Sequence, residues 1–273
     1  MSEPLVVSST LNGVCTLRMN DPRRLNGWTE ELHAELRSAM GSAASDAGVG
    51  VVVLTGADPY YSAGVNLSAA VKPQHPKKIR EEIRRRNQAL FDEFIDFPKP
   101  LLVAVNGPAI GATVTTATLC DGVIASEKAT FSTPFARLGV TPEGCSSEYW
   151  PRLIGESAAR RMLGEEGWKP TAAEALQVGL VDEVVAHGEL MNRAQALAES
   201  WVAAGRTRTF KLGATAAELK AINARESVVL AEAFLAPPFL MGQYRFLRSR
   251  GKYGPALTFL GLRVTRPIWS LLL

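Results

Sequence analysis

Three short stretches of this chain combine small residues with polar ones in patterns suited to handling negative charge. The first is Tyr60-Tyr61-Ser62-Ala63-Gly64-Val65-Asn66-Leu67, and the second is Asn106-Gly107-Pro108-Ala109-Ile110-Gly111-Ala112. The third, Phe135-Ala136-Arg137-Leu138-Gly139-Val140-Thr141-Pro142-Glu143-Gly144-Cys145, adds a carboxylate and a thiol. The first two each follow an apolar strand-like run, and small residues there let backbone N–H groups approach a ligand closely. The second also opens a helical pattern, where unpaired N–H groups and the helix dipole favour negative charge. Two such loops aimed at one point would form an oxyanion hole. Taken singly, each is also readable as an ordinary strand-to-helix turn, and Glu143 as a solvated loop residue or a helix cap. Cys145 has no histidine near it in sequence, and a buried thiol is the usual state of a lone cysteine.

The elements that must hold these stretches follow from periodicity. Leu5–Thr10 and Val14–Met19 read as strands joined by Asn12-Gly13, a strong hairpin signal. Thr29 to Ala43 reads as a helix capped by Thr29, with Leu32, Leu36, Ala39 and Met40 at helical spacing. The continuous apolar runs Val49–Thr55 and Leu101–Asn106 predict strands buried on both faces. Pro76–Phe97 and Gly111–Leu119 predict helices between them, and Val123–Ser126 and Thr130–Ser132 return to strand character. Strand–helix alternation of this kind implies an α/β core. From about Ser147 the pattern turns helical, with Glu156–Gly164, Thr171–Gly179, His187–Ala203, Thr215–Phe234 and Phe239–Arg250 as predicted helices. Thr171 and Glu174 form the Thr-x-x-Glu pattern of a capping box. No linker separates independent domains. The expected layout is an α/β core over 1–200, a helical region over 201–250 and an apolar, basic tail over 251–273. That tail reads as packing on the body or on a neighbouring subunit, with a weak membrane-surface contact as the alternative, since basic and apolar residues alternate in it.

Composition excludes several classes. The 273 residues carry 30 Lys+Arg against 27 Asp+Glu, and a net charge of +3 is too small an excess to argue for nucleic acid. The basic run from Lys77 to Arg86 contains Glu81 and Glu82 as local partners, which suits a solvated helix face better than an RNA or CoA-phosphate contact. No apolar run reaches the ~20 residues of a transmembrane helix. The cysteines Cys15, Cys120 and Cys145 are odd in number and widely spaced, so they form no disulfide framework. Histidines 33, 75 and 187 stand alone, which leaves no metal-ligand pair. Phosphate-binding, dinucleotide and serine-hydrolase signatures are missing.

Taken together, the three stretches resemble the crotonase superfamily, the enoyl-CoA hydratase/isomerase fold. Ser62-Ala63-Gly64-Val65-Asn66 matches its CoA loop, Asn106 to Ala112 its second oxyanion loop, and Thr171-Ala172-Ala173-Glu174-Ala175 with Gly179-Leu180-Val181-Asp182 a downstream signature. The resemblance runs from the hairpin to about Arg250. It implies a spiral of β-β-α turns with C-terminal helices that build a homotrimer, an acyl-CoA thioester as substrate, and no cofactor apart from the CoA of that substrate. It assigns the oxyanion donors to the N–H groups of Val65 and Ala112. Ser62, Ala63, Gly64, Asn66, Gly111, Phe135, Leu138 and Arg24 are assigned to substrate binding, and no residue to metal. The two hydratase glutamates fall on Thr115 and Phe135, neither able to act as a base near neutral pH.

Within the superfamily, Pro142-Glu143-Gly144-Cys145-Ser146-Ser147 is similar to the segment that carries the single catalytic glutamate of peroxisomal-type Δ3,Δ2-enoyl-CoA isomerases. Two departures are Val65, bulkier than the usual alanine, and Asn66, where an aspartate often stands. The resemblance implies an isomerase of unsaturated fatty-acid oxidation, with Glu143 carrying a proton between C2 and C4 in an apolar pocket near Phe135 and Leu138. Two alternatives stand beside it: another crotonase reaction, such as hydration or a biosynthetic isomerisation, and a non-catalytic acyl-CoA-binding module. The terminal Trp269-Ser270-Leu271-Leu272-Leu273 lacks the peroxisomal Ser-Lys-Leu signal of many relatives, which leaves peroxisome and cytoplasm as the compartments to separate.

Overall fold

A computed structural model describes residues 3–65 and 74–273. The chain opens with strands β1 (Val6–Leu11) and β2 (Val14–Met19), then helix α1 (Glu30–Ser45), strand β3 (Val51–Gly56) and helix α2 (Pro76–Ile95). Strands β4 (Leu101–Val105) and β5 (Ala109–Ile110), helix α3 (Ala112–Thr118), and strands β6 (Gly122–Ser126) and β7 (Phe131–Ser132) follow. Helices α4 (Phe135–Leu138), α5 (Ser146–Leu153), α6 (Glu156–Leu163) and α7 (Ala172–Gln177) lead to strand β8 (Glu183–Val185). The remainder is helical: α8 (Leu190–Ala203), α9 (Ala216–Phe234), α10 (Pro237–Ser249) and α11 (Tyr253–Trp269).

Local chemistry explains the boundaries. Asn12 and Gly13 both take positive φ, 51° and 79°, the geometry that turns β1 back onto β2 in register. Thr29 caps α1 by accepting the Leu32 N–H, and Thr171 and Glu174 close the capping box on α7. The main sheet runs β1-β2-β3-β4-β6-β8, antiparallel only at the hairpin and parallel from β2 onward. Its parallel strands are buried on both faces because residues alternate between two cores. Val52, Leu54, Val103 and Val105 face the main core under α1, α2 and α5, whereas Val51, Val53, Leu102 and Ala104 pack against Leu190, Ala194 and Trp201 of α8. A second, two-stranded sheet pairs β5 with β7. Mixed sheets wound with helices and followed by a helical C-terminal region are the α/β spiral that the motifs imply.

Several features differ from the sequence expectation. The four-residue helix α4 and the strands β5 and β8 lie where no element was expected, all too short to carry a period. The tail 251–273, for which no element was predicted, is mostly one helix, α11. Pro255 stands in its first turn, where its missing N–H costs nothing, and Pro267 stands near its end. Its inner residues Ala256 and Phe259 join Phe239, Leu240 and Leu247 of α10 in a third apolar cluster.

Candidate active site

The first loop leaves β3 and is held by backbone. Ser62 is fully buried; its Oγ donates to the Asn26 carbonyl at 2.7 Å and accepts the Gly64 N–H at 3.2 Å. The Ala63 N–H donates to Leu25 and the Trp28 N–H to the Gly64 carbonyl, at 2.9 and 2.8 Å. Asn26, at φ 49° after Leu25 at φ 55°, donates from Nδ2 to the carbonyls of Ala57 and Tyr60, both at 2.7 Å. This asparagine closes the loop from more than 30 residues away and had been missed. Its one local signal was the Leu-Asn-Gly turn that its positive φ requires.

The second loop lies flush against the first. The Ile110 N–H donates to the Ser62 carbonyl at 3.1 Å, and the Gly111 N–H to Ser132 at 2.7 Å. A Cβ on Gly64, at φ 82°, would stand 2.5 Å from the Ile110 carbonyl oxygen, so only glycine lets the two loops meet. Gly111 sits at φ 63° and ψ −129°, a conformation that L-residues avoid, and it turns the chain into α3 with Ala112 as first residue. Among the described residues, neither the Val65 N–H nor the Ala112 N–H has a protein acceptor.

Glu143 precedes a turn with two consecutive positive φ values, Gly144 at 66° and Cys145 at 67°, that leads into α5. This turn is clamped by Glu226 of α9, a buried carboxylate 83 residues on in the chain. Glu226 accepts the Cys145 N–H at 2.6 Å, the Ser147 N–H at 2.8 Å and the Ser147 hydroxyl at 2.5 Å. Glu226 thus neutralises the unpaired N–H groups at the start of α5. No motif marks it in the sequence. Glu143 itself is half-buried, and among the described residues no donor reaches its carboxylate. Burial, and secondarily the negative charge of Glu226, push its pKa up to about 8. Burial also raises the pKa of Glu226 and of the fully buried Cys145 thiol, which donates to the Leu219 carbonyl and takes no part in the cavity.

One cavity of 1180 Å³ brings these parts together. Ala63, Gly64, Val65, Gly111, Ala112, Phe135, Leu138 and Glu143 all line it. Its apolar wall is completed by Leu90 of α2, Phe234 of α9, Phe239 and Leu240 of α10, and Phe259, Leu262 and Trp269 of α11. The tail, read from sequence as packing on the body or on a neighbouring subunit, packs on the body here and forms part of the pocket. Arg85 and Arg86 also stand at the cavity; Arg86 is paired with Glu30 and Glu82. Thr115 is buried and donates to the Ala112 carbonyl, so neither hydratase acid position presents a carboxylate.

Two of the expected binding residues, Ser62 and Arg24, fall outside the cavity wall. Ser62 shapes the loop from beneath. Arg24 lies on the turn after β2, two-thirds exposed, with its guanidinium 3.9 Å from Asp21, and does not line the cavity. Asn66 lies outside the described residues. Among the described residues there is no cluster of three or more His, Cys, Asp or Glu able to hold a metal ion.

Two interlocked strand-end loops, each with an amide that has no protein acceptor among the described residues, border one largely apolar cavity, a layout of the crotonase class. The family model for enoyl-CoA hydratase/isomerase matches residues 9–235, and the chain belongs to that family. It is 38% identical over 259 residues to human enoyl-CoA delta isomerase 2, covering 92% of this chain and 64% of that protein. It is also 34% identical over 237 residues to mouse chromodomain Y-like protein 2, covering 82% of this chain and 46% of that protein. The chain thus spans less than two thirds of the length of these curated relatives. Among solved structures, it is similar to an enoyl-CoA hydratase/isomerase from Pseudoalteromonas atlantica T6c, with a TM-score of 0.74, 28% identity, and coverage of 90% of this chain and 97% of that one.

Proposed function

We propose that this chain moves the double bond of a 3-enoyl-CoA to give trans-2-enoyl-CoA, with Glu143 as the single acid–base group. The observation that carries this reading is the shared cavity: Val65 and Ala112, whose amides have no protein acceptor among the described residues, line it together with the carboxylate of Glu143. The thioester oxygen accepts both N–H groups, which form the oxyanion hole. Glu143 removes a proton from C2, and the electron pair moves into the carbonyl, leaving a dienolate whose charge lies on that oxygen. The protonated Glu143 then returns the proton at C4, the C2=C3 bond forms and the carbonyl is restored. The carboxylate ends as it began.

Magnitudes favour this division of labour. Each oxyanion donor contributes ~3 kcal/mol to the transition state. A carboxylate with its pKa raised to about 8 is a far stronger base than a solvated one, and lies near the pH at which it must both take and give a proton. Phe135 and Leu138 line the same wall as Glu143 and limit the water around the base.

Incubation with a 3-enoyl-CoA should yield the conjugated 2-enoyl thioester, and Glu143→Gln should abolish it. Wild-type turnover in that variant ends the assignment. A 3-hydroxyacyl-CoA product would assign hydration instead, with water activated by Glu143. Tight acyl-CoA binding with no product from any chain length would make the chain a binding module.

A further inference from the structure

Four polar side chains stand together at the carboxyl ends of neighbouring parallel strands, and none of them lines the cavity. Asn106 follows β4 and Ser126 ends β6, while Asp58 lies two residues past β3 and His187 two residues past β8. His187 Nε2 stands 3.1 Å from Asp58 Oδ2, and its Nδ1 stands 3.0 Å from Ser126 Oγ. The other Asp58 oxygen, Oδ1, accepts the Asn106 amide Nδ2–H at 2.8 Å.

Serine, histidine and aspartate linked in this order are the parts of a nucleophilic triad, but the nucleophile is sealed off. Ser126 is fully buried and its Oγ already accepts the Lys128 N–H at 3.1 Å, so no substrate carbonyl can reach it. The hydrogen bonds instead run one way, toward Asp58. The Asp58 carboxylate accepts, which places the His187 proton on Nε2, and Nδ1 then accepts the Ser126 hydroxyl. The His187 backbone is held too, its N–H donating to Glu127 Oε1 at 3.2 Å.

What this relay orients is Asn106. The buried asparagine joins the roots of the two amide-bearing loops: its Oδ1 accepts the Gly56 N–H at 3.2 Å, and its Nδ2 donates to the Tyr60 carbonyl at 3.3 Å as well as to Asp58. With that amide turned over, its oxygen would face the Asp58 carboxylate and the Tyr60 carbonyl, and its NH2 would face the Gly56 N–H. Asp58 therefore selects the working orientation of Asn106, and His187 selects the place of Asp58. The segments have no slack, since a Cβ on Gly107 would collide with the Pro59 carbonyl oxygen. At their tips the same two loops are tied by the Tyr61 and Ser62 N–H groups donating to the Pro108 carbonyl.

We propose that His187 is a positioning residue for the oxyanion hole, acting through Asp58 and Asn106 on the spacing of the Val65 and Ala112 amides. The proposal rests on the reading of those amides as oxyanion donors, and it does not require that the reaction be isomerisation.

The test reads the hole apart from turnover. The probe is acetoacetyl-CoA, a thioester with an acidic C2 proton, whose enolate absorbs in the near ultraviolet; donors aimed at the thioester oxygen favour the bound enolate. Glutamine places an N–H where imidazole has Nε2–H, and asparagine places one near Nδ1. His187→Gln therefore keeps the bond to Asp58, and His187→Asn loses it. His187→Asn should lower both the bound enolate-to-keto ratio and kcat for a 3-enoyl-CoA about tenfold, with KM within about twofold, a fraction of the roughly 10²–10³ that a whole donor is worth. His187→Gln should stay within about threefold of wild type, because its amide still donates to a carboxylate. Asp58→Ala should lose at least as much as His187→Asn, and joining the two should cost nothing further, since both cut one chain. His187 is half-buried and Asp58 exposed, so the melts of these variants should stay within about 3 °C of wild type. An unchanged enolate band in His187→Asn, equal losses in the two His187 variants, or a wild-type chain that gives no enolate band overturns the proposal. A larger drop in melting temperature with the enolate ratio intact assigns the four residues to stability alone and overturns it as well. An enolate that depends on His187 in a chain that isomerises no 3-enoyl-CoA keeps the proposal and ends the reaction assigned above.

Discussion

Replacing Glu143 by Gln should stabilise the fold at the same time as it removes turnover, and the gain should grow with pH. In the unfolded chain this carboxyl titrates near the ordinary glutamate value, whereas in the folded chain burial and Glu226 push it up to about 8. Between those two values the native state holds a proton that the unfolded state has lost. Stability from this group is therefore complete below about pH 4.5 and is lost as pH rises through 8. The gap of about 3.5 pH units at ~1.4 kcal/mol each sets a ceiling of about 5 kcal/mol. Because Glu143 lines an open cavity that admits water, about half of that is the expected loss, roughly 2–3 kcal/mol. Glutamine is neutral throughout and nearly isosteric, so it escapes the penalty. For a chain of this size, ~2 °C per kcal/mol predicts a melting temperature about 5 °C above wild type at pH 8.5 and no difference near pH 4.5. Thermal or urea unfolding of both proteins across that range measures it. A variant no more stable than wild type at pH 8.5, or a difference independent of pH, would refute the claim that Glu143 is desolvated in the free enzyme.

Two further predictions concern the scaffold. Gly64→Ala puts a methyl 2.5 Å from the Ile110 carbonyl and forces φ 82° on an L-residue, so the two amide-bearing loops must part. The expected result is a loss of about 10²-fold or more in kcat, the size of one misplaced oxyanion donor, with a smaller change in KM. A collapsed thermal melt in the variant would argue for simple unfolding instead. Glu226→Gln removes the negative charge that helps to raise the proton affinity of Glu143, and leaves the turn before α5 with weaker caps. The midpoint of the pH–rate profile should move to lower pH, and stability should fall by roughly 1–2 kcal/mol. An unchanged midpoint would show that burial alone sets Glu143.

Much of this architecture was written in short-range patterns. Asn12-Gly13 set the hairpin, Thr29 and Thr171 with Glu174 set helix starts, and the runs at 51–56 and 101–105 announced strands buried on both faces. These signals are legible because turn dihedrals, caps and periodicity depend on neighbours within a few residues. The small-residue loops and Glu143 were legible for the same reason, as local motifs at strand and helix ends. The tertiary structure alone decided what surrounds them. It carried Glu226 across 83 residues to grip the turn beside Glu143, set Asn26 beneath the first loop, and left Arg24 on the outside. It also made α11 a wall of the cavity. Desolvation, proton affinity and the sharing of one cavity by two loops and a carboxylate are properties of an enclosed volume. They come into being only when segments far apart in the chain close around it.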